Sequence, residues 1–138
     1  MKFNNKTEVR EALESIWRGR QEADFGRVVV EYLSLHLDAK HIPVSEFFKI
    51  AHNVNISAPD VILNIVNFFS GAHINLLDAG FEYIEKDDIE DLDSDQVRAA
   101  YDGKINPLTG QHDEDVAKKI FMYFLPSDVA KIALRSSE

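Results

Sequence analysis

Apolar residues recur at helical spacing through the first forty residues and predict two helices. The first has Thr7 as its candidate N-cap and ends near Gly19. Its apolar positions are Val9, Leu13, Ile16 and Trp17. A second helix is predicted from about Gln21 to Leu37. One face of it carries Phe25, Val28, Val29, Tyr32, Leu33 and His36. We expect both helices to contribute an apolar face to a core.

Two more helices are predicted between residues 43 and 71, on either side of a tight turn. Pro43 suits the first turn of a helix, and the apolar face that follows consists of Phe47, Phe48, Ile50 and Ala51. Asn53 and Asn55 should end this helix, because Asn accepts a left-handed backbone. Ser57 and Asp60 have the spacing of a capping box for the next helix, which should end at Gly71.

The residues after Gly71 predict a β-hairpin. Two short β-prone segments, Ile74–Leu77 and Phe81–Ile84, are separated by Asp78-Ala79-Gly80. A short loop that contains Gly between two such segments is typical of a hairpin. We therefore expect the turn of the hairpin at residues 78–80.

The last third of the chain predicts three short helices and a loop. Asp93, with Gln96 three residues later, should cap a helix that ends near Gly103. Residues 104–112 indicate a loop, since Asn-Pro and Thr-Gly pairs favour turns. A helix is predicted from Asp113 with Val116, Ile120 and Phe124 on one side, and Pro126 should stop it. Ser127 should cap a final helix through Leu134.

The order of a helix, a tight turn, a capped helix and a hairpin resembles the winged helix-turn-helix superfamily over about residues 43–85. Ala51 stands at the small position inside the first helix, and Asn55 stands in the turn where Gly is commoner. Apolar residues at the flanking positions also match, namely Ile50, Val54, Ile56 and Val61. The pattern departs at Asn64, where an apolar residue is expected.

This resemblance implies an α+β fold that is mostly helical. It implies a winged helix-turn-helix-like core with a β-hairpin wing, and the helices before and after it are then additions. In that arrangement Ser57–Phe69 would be the recognition helix and Ile74–Ile84 the wing. We expect a single domain over residues 1–138, with N-terminal helices in 1–40, the winged-helix-like centre in 43–85 and an acidic helical part in 86–138.

The charge balance is acidic, with 15 Lys+Arg against 24 Asp+Glu and a formal net charge of -9. Residues 82–95 hold eight acids and one cation, Lys86. This run is expected to be a solvated loop, or alternatively a docking surface for a basic partner or a mimic of nucleic-acid charge. The longest apolar stretch, Val61–Phe69, is too short for a membrane helix, and the first twenty residues lack the apolar region of a signal peptide. We therefore expect a cytoplasmic protein that does not bind a membrane.

The second helix of the motif lacks the charges that DNA binding requires. No Lys or Arg lies between Lys49 and Lys86, whereas nucleic-acid affinity comes largely from cations at phosphates. The leading hypothesis is therefore a non-enzymatic module for protein–protein contact or self-association. Its candidate partner-binding residues are Ser57, Asp60, Ile62, Leu63, Asn64, Asn67 and Phe68. Burial of the apolar members in the core is the alternative.

A second hypothesis is a DNA-binding transcriptional regulator of winged-helix type that acts as a dimer. An N-terminal basic cluster could supply its positive charge, with Arg10, Arg18, Arg20 and Arg27 as the candidate nucleic-acid-binding residues. Acidic residues are interleaved with these arginines, so surface ion pairing explains the same pattern.

Known catalytic and metal-binding patterns are absent from the sequence. There is no Cys, no Gly-rich phosphate loop and no Gly-x-Ser-x-Gly motif. The histidines form no pair at i, i+4 and lie at His36, His41, His52, His73 and His112. Asp91, Asp93, Asp95 and Asp102 have EF-hand spacing, but Gln96 stands where the bend requires Gly. We therefore expect no enzymatic activity, no cofactor and no bound metal.

Overall fold

A computed structural model describes residues 3–72 and 74–135 and shows an α+β protein. Its helices are α1 (Lys6–Trp17), α2 (Gln21–Leu35), α3 (Val44–Asn53), α4 (Pro59–Ser70), α5 (Ser94–Gly103) and α6 (Asp128–Ala133). Its strands are β1 (Ile42–Pro43), β2 (Leu77–Glu85), β3 (Asp88–Leu92) and β4 (Ile120–Pro126), in the sheet order β1-β4-β2-β3. None of the described helices has the length and apolar character needed to cross a membrane.

The chain forms two compact units. The first consists of residues 1–78 and 124–138, and the second of residues 79–123. The boundaries fall inside β2 and β4, not at residues 40 and 85 where the predicted parts of the chain ended. The expectation of a single domain stays a prediction.

Helix α2 occupies the centre of the first unit, where it packs against α1, α3, α4 and α6. Its buried side chains include Phe25, Val29 and Leu33, none of which is exposed to solvent. Gly26 allows α1 to come close, because a Cβ at this position would lie 2.6 Å from Leu13 Cδ2. The predicted apolar faces of α1 and α2 are thus confirmed as core at Val9, Leu13, Phe25, Val29 and Leu33. Two residues of those faces were wrongly predicted, since Ile16 is 53% exposed and His36 lies at the surface.

The turn between α3 and α4 forms where the Asn residues predicted it. Asn55 has a φ of 63°, in the left-handed region that Asn tolerates. The Ile56 N–H donates to the Ala51 carbonyl at 2.9 Å, and the Ala51 side chain is fully buried. A larger side chain at position 51 would therefore have to displace core residues.

Two helix starts differ from the prediction. Asn5, not Thr7, caps α1, and its side chain accepts a hydrogen bond from the Glu8 N–H at 2.9 Å. Ser57 does not cap α4, whose N-cap is Ala58 without a side-chain hydrogen bond. Pro59 begins α4 and has no N–H. The first turn of α4 therefore has one fewer N–H group that requires a capping hydrogen bond.

The hairpin lies further along the chain than the sequence predicted. Residues 78–80 form no turn, and β2 runs through them to Glu85. The turn falls at residues 86–87, and the partner strand β3 is built from the acidic run that was expected to be a loop. Gly80 leaves room for the Tyr123 ring, since a Cβ there would lie 2.4 Å from Tyr123 Cζ. The predicted wing over Ile74–Ile84 is therefore wrong in position.

The helix predicted from Asp113 is also wrong. Residues Val116–Lys119 form a short 3-10 helix, and the following apolar and aromatic residues form β4. Spacings of four residues fit a helix, but β-prone residues with a neighbouring strand gain more from pairing in a sheet.

The caps of α5 and α6 are confirmed. The Asp93 side chain accepts from the Gln96 N–H at 2.8 Å, and the Gln96 side chain accepts from the Asp93 N–H at 2.9 Å. The Ser127 hydroxyl accepts from the Ala130 N–H at 3.1 Å. In the second unit, α5 contributes Ala100 to a small core with Tyr83, Val116 and Ile120.

We expect Gly26→Ala to lower the free energy of unfolding, because its Cβ would overlap the buried Leu13 side chain. Overpacking costs about 1–3 kcal/mol, whereas Ala gains roughly 0.5–1 kcal/mol over Gly in a helix. In a Leu13→Ala background the same change should be stabilising, since the overlap is gone. Urea unfolding of the wild type, both single variants and the double variant measures both effects. An equal effect of Gly26→Ala in the two backgrounds would contradict the close packing of α1 on α2.

Candidate functional site

The solvent-facing side of α4 is a narrow polar stripe. Asp60, Leu63, Asn64 and Asn67 are exposed and recur at three- and four-residue spacing, so they share one face of the helix. Ser57 is exposed just before the helix begins. The structure thus brings five of the seven candidate partner-binding residues to the surface.

Ile62 does not belong to this surface. Its side chain has no solvent exposure, and Ile65 and Phe69 are equally buried. Most of the apolar side chains of α4 therefore lie in the core, because α2 and α3 pack against this helix. Leu63, at 42% exposure, is the large apolar residue that α4 leaves open.

Asn64 holds a buried carboxylate. Its Nδ2 donates to Glu22 Oε2 at 3.1 Å, and Glu22 on α2 is only 9% exposed. An apolar residue was expected at position 64 from the helix-turn-helix pattern. Asn64 instead supplies a hydrogen bond to a charge that would be costly to bury without a partner.

Phe68 turns away from the stripe toward α1. Its ring meets Trp17 edge to face, with ring centroids 5.0 Å apart and an interplanar angle of 84°. Beside it lies an apolar depression of about 890 Å³ between α1 and the C-terminal part of α4. We call this depression the α1–α4 groove; it is lined by Phe3, Glu8, Glu11, Ala12, Ser15, Ile16, Asn67, Phe68, Gly71 and Ile74.

The α1–α4 groove has an apolar floor and an acidic rim. Phe3 and Ile74 form the floor and are each 5% exposed, whereas Ile16 on the wall is 53% exposed. The charged residues among the described lining are the carboxylates of Glu8 and Glu11, one turn apart on α1. The groove therefore combines an exposed aliphatic surface with negative charge.

The sequence predicted Asn67 and Phe68 as contact residues, but it did not predict that α1 would line the same groove. A signal was present, because Ile16 and Trp17 are adjacent and diverge by about 100° around the helix. Both cannot point into the same core, so one of them had to face elsewhere. Phe3 and Ile74 carried no such signal, since neither lies in a helix or a strand.

Two of the four arginines in the candidate basic cluster form ion pairs with carboxylates. Arg10 Nη2 lies 2.6 Å from Glu31 Oε2. Arg27 pairs with Glu14 at 2.5 Å and also with Asp24. Arg18 and Arg20 are exposed in the loop between α1 and α2. Two of the four arginines therefore have much of their charge balanced by neighbouring carboxylates.

No group of three or more His, Asp or Glu side chains in the described ranges, 3–72 and 74–135, is arranged to hold a metal ion. Asp93, from the EF-hand-like spacing, caps α5. Asp91 accepts a hydrogen bond from the Tyr123 hydroxyl at 3.3 Å. His73 lies outside the described residues.

A partly buried polar network in the second unit links β2, the loop after α5 and the residue before β4. Asn106 Nδ2 donates to Tyr83 Oη and to Asp113 Oδ2, each at 3.0 Å. The Tyr83 hydroxyl donates to Glu85 Oε1 at 2.5 Å. Lys119 Nζ lies 2.9 Å from Asp113 Oδ2 and 3.0 Å from Glu85 Oε2. The network fixes the loop that contains Asn106 against the sheet.

The charges in this network stabilise one another. The hydrogen bond from Lys119, followed by that from Asn106, lowers the pKa of Asp113 to about 2. Hydrogen bonds to Asp113 and Glu85 raise the pKa of Lys119. Burial, together with the hydrogen bond to Glu85, raises the pKa of Tyr83. Lys119 therefore stays protonated at neutral pH, and its ammonium group links the carboxylates of Asp113 and Glu85.

We expect Asp113→Asn to reduce the loss of stability at low pH. The folded pKa of about 2 lies below the ordinary 3.8, so the ionised carboxylate stabilises the fold above that ordinary value. This contribution is lost as the pH falls toward about 2. Thermal unfolding across this interval should show a steeper fall for the wild type than for the variant. Asp38→Asn, at an exposed carboxylate, is the matched control and should keep the wild-type slope.

The chain matches no protein-family model, no curated protein and no solved structure. Evidence about its function therefore comes from the geometry and charge of the surfaces described above.

Proposed function

We propose that this protein is a non-enzymatic interaction module whose α1–α4 groove binds an amphipathic helix of a partner protein, with basic residues beside its apolar face. The observation that carries this proposal is the apolar groove with carboxylates at its rim. Asn67 and Phe68, two of the residues expected to contact a partner, line it. Leu63 and Asp60 lie on the neighbouring polar stripe and would extend the contact.

The size and exposure of the groove suit side chains that project from a helix. Its volume of about 890 Å³ holds several large aliphatic side chains. Covering Ile16, which is half exposed on the wall, would remove apolar surface from water and so favour association. Helix-in-groove recognition uses apolar residues at i, i+3, i+4 and i+7 in this way.

The charge of the rim selects the partner. Glu8 and Glu11 would attract Lys or Arg beside the apolar face of the incoming helix and repel an acidic one. A second copy of this chain carries a formal net charge of -9 and would approach against long-range repulsion. A basic helix from another protein is therefore a better occupant than a second copy.

We expect a helical peptide of about 14 residues, with Leu on one face and Lys elsewhere, to bind the wild-type protein. Ile16→Lys should weaken this binding by at least about tenfold, because it removes apolar contact and adds a like charge. Leu35→Lys is the matched control, since Leu35 is 79% exposed on α2 and does not line the groove. Calorimetric titration of the three proteins measures the difference.

Further arms of this experiment separate the possible outcomes. A peptide with Glu in place of Lys should bind more weakly than the Lys peptide. The double variant Glu8→Gln, Glu11→Gln should show a smaller difference in affinity between the two peptides. Equal weakening by Ile16→Lys and Leu35→Lys would contradict the proposal, because the peptide would then adhere to the acidic surface in general. A wild-type dimer that Ile16→Lys converts to a monomer in light scattering would place a second copy in the groove and would also contradict it.

A DNA-binding regulator is the second candidate, and the exposed Arg18 and Arg20 are the observation that favours it. We nevertheless expect weak binding to duplex DNA at about 50 mM salt, because the exposed stripe of α4 carries no cation. Fluorescence anisotropy with a labelled nonspecific duplex measures this. Tight binding that falls steeply toward about 200 mM salt would support the regulator instead. Its loss in the Arg18→Ala, Arg20→Ala variant would locate the contact.

A further inference from the structure

We infer that β3 is a docking edge, at which an extended basic segment of a partner protein adds to the sheet beside it. This surface lies in the second unit and shares no residue with the α1–α4 groove. It rests on three observations: the position of β3 in the sheet, the exposure of its residues and the sign of their charges.

Strand β3 is the last strand of the sheet order β1-β4-β2-β3. It pairs with β2 in antiparallel register, with Ile84 opposite Ile89 and Glu82 opposite Asp91. Within the described residues, no backbone hydrogen bond to another segment covers its outer side. A strand edge of this kind presents N–H and C=O groups that an extended peptide can pair with.

The geometry of the hairpin indicates which backbone groups face outward. The two-residue turn is flanked by Glu85 and Asp88, and residues beside such a turn exchange hydrogen bonds with each other. Because inward and outward residues alternate along a strand, Asp88 and Glu90 direct their backbone groups toward β2. The N–H and C=O groups of Ile89 and Asp91 then face the open edge.

The side chains of β3 select a basic segment. Asp88, Ile89, Glu90 and Asp91 are all exposed, and Ile89 is 64% exposed. Lys86 in the turn is the cation closest in sequence. An added strand would thus meet carboxylates on both faces of the sheet and one aliphatic contact at Ile89. Lys or Arg opposite the acids and an apolar residue opposite Ile89 would complement this pattern.

A second copy of the chain is a poor occupant of the same edge. Pairing β3 with the β3 of another copy would place acidic residues opposite acidic residues, and like charges directly opposite each other destabilise a strand pair. Acidic side chains on an edge strand are one way in which proteins avoid such self-pairing. The same negative charges leave the edge open to a strand that carries positive charge.

The test uses a synthetic peptide of about nine residues with alternating Lys and Val, and the full-length protein. Ile89→Pro removes the outward N–H, and Pro is tolerated on an edge strand where its missing N–H would face solvent. Ile89→Ala is the matched control, because it shortens the side chain but keeps that N–H. We expect Ile89→Pro to weaken peptide binding by at least about tenfold and Ile89→Ala by much less. Thermal unfolding of both variants checks that the fold is retained.

Each outcome decides the inference. Loss of binding in Ile89→Pro with retention in Ile89→Ala supports it, as does weaker binding in a variant with Asp88→Asn, Glu90→Gln and Asp91→Asn. Equal binding of the peptide by the wild type and by Ile89→Pro overturns the inference, because charge attraction would then account for binding without strand pairing. No binding of the Lys-Val peptide at low salt overturns it. A wild-type dimer that Ile89→Pro dissociates also overturns it, since a second copy would then occupy the edge.

Discussion

The burial of the apolar face of α4 decides which side chains of that helix stay open to solvent. Ile62, Ile65 and Phe69 have no solvent exposure. The most apolar helix of the chain thus buries its apolar face in the core and exposes a polar stripe to solvent. Phe68 lies at the edge of that core and packs against Trp17 of α1. One open apolar surface is therefore shared between two helices, at the α1–α4 groove.

Negative charge gives the two candidate docking surfaces a common preference. Carboxylates stand at the rim of the α1–α4 groove and along β3, whereas Arg10 and Arg27 are paired with acids on neighbouring helices. The electrostatic field of a chain with a net charge of -9 adds to this preference at long range. If the two proposals hold, both terms would favour partners with basic segments and disfavour anionic polymers.

The sequence predicted those features whose energy comes from residues a few positions apart. The capping box of Asp93 and Gln96, the Ser127 cap and the left-handed Asn55 all depend on hydrogen bonds or steric limits within one turn of chain. The apolar faces of α1 and α2 follow from helical periodicity. The polar members of the α4 stripe could be predicted for the same reason, since the stripe is set by the helical repeat.

Only the tertiary structure decided the features that depend on a distant neighbour. Gly80 suggested a turn, but it lies within β2, where the Tyr123 ring of β4 occupies the space of a side chain. Residues 120–126 have a spacing that fits a helix, and they form a strand because β2 lies beside them to accept their hydrogen bonds. The acidic run became the edge strand β3 by the same pairing. By itself the sequence determined helices α1 to α6, the caps of α5 and α6 and the acidic balance, because those are local or additive properties. Contacts between residues far apart in the sequence set the sheet register, the burial of Ile62 and the shape of the groove. These features therefore cannot be predicted from any short stretch of the sequence.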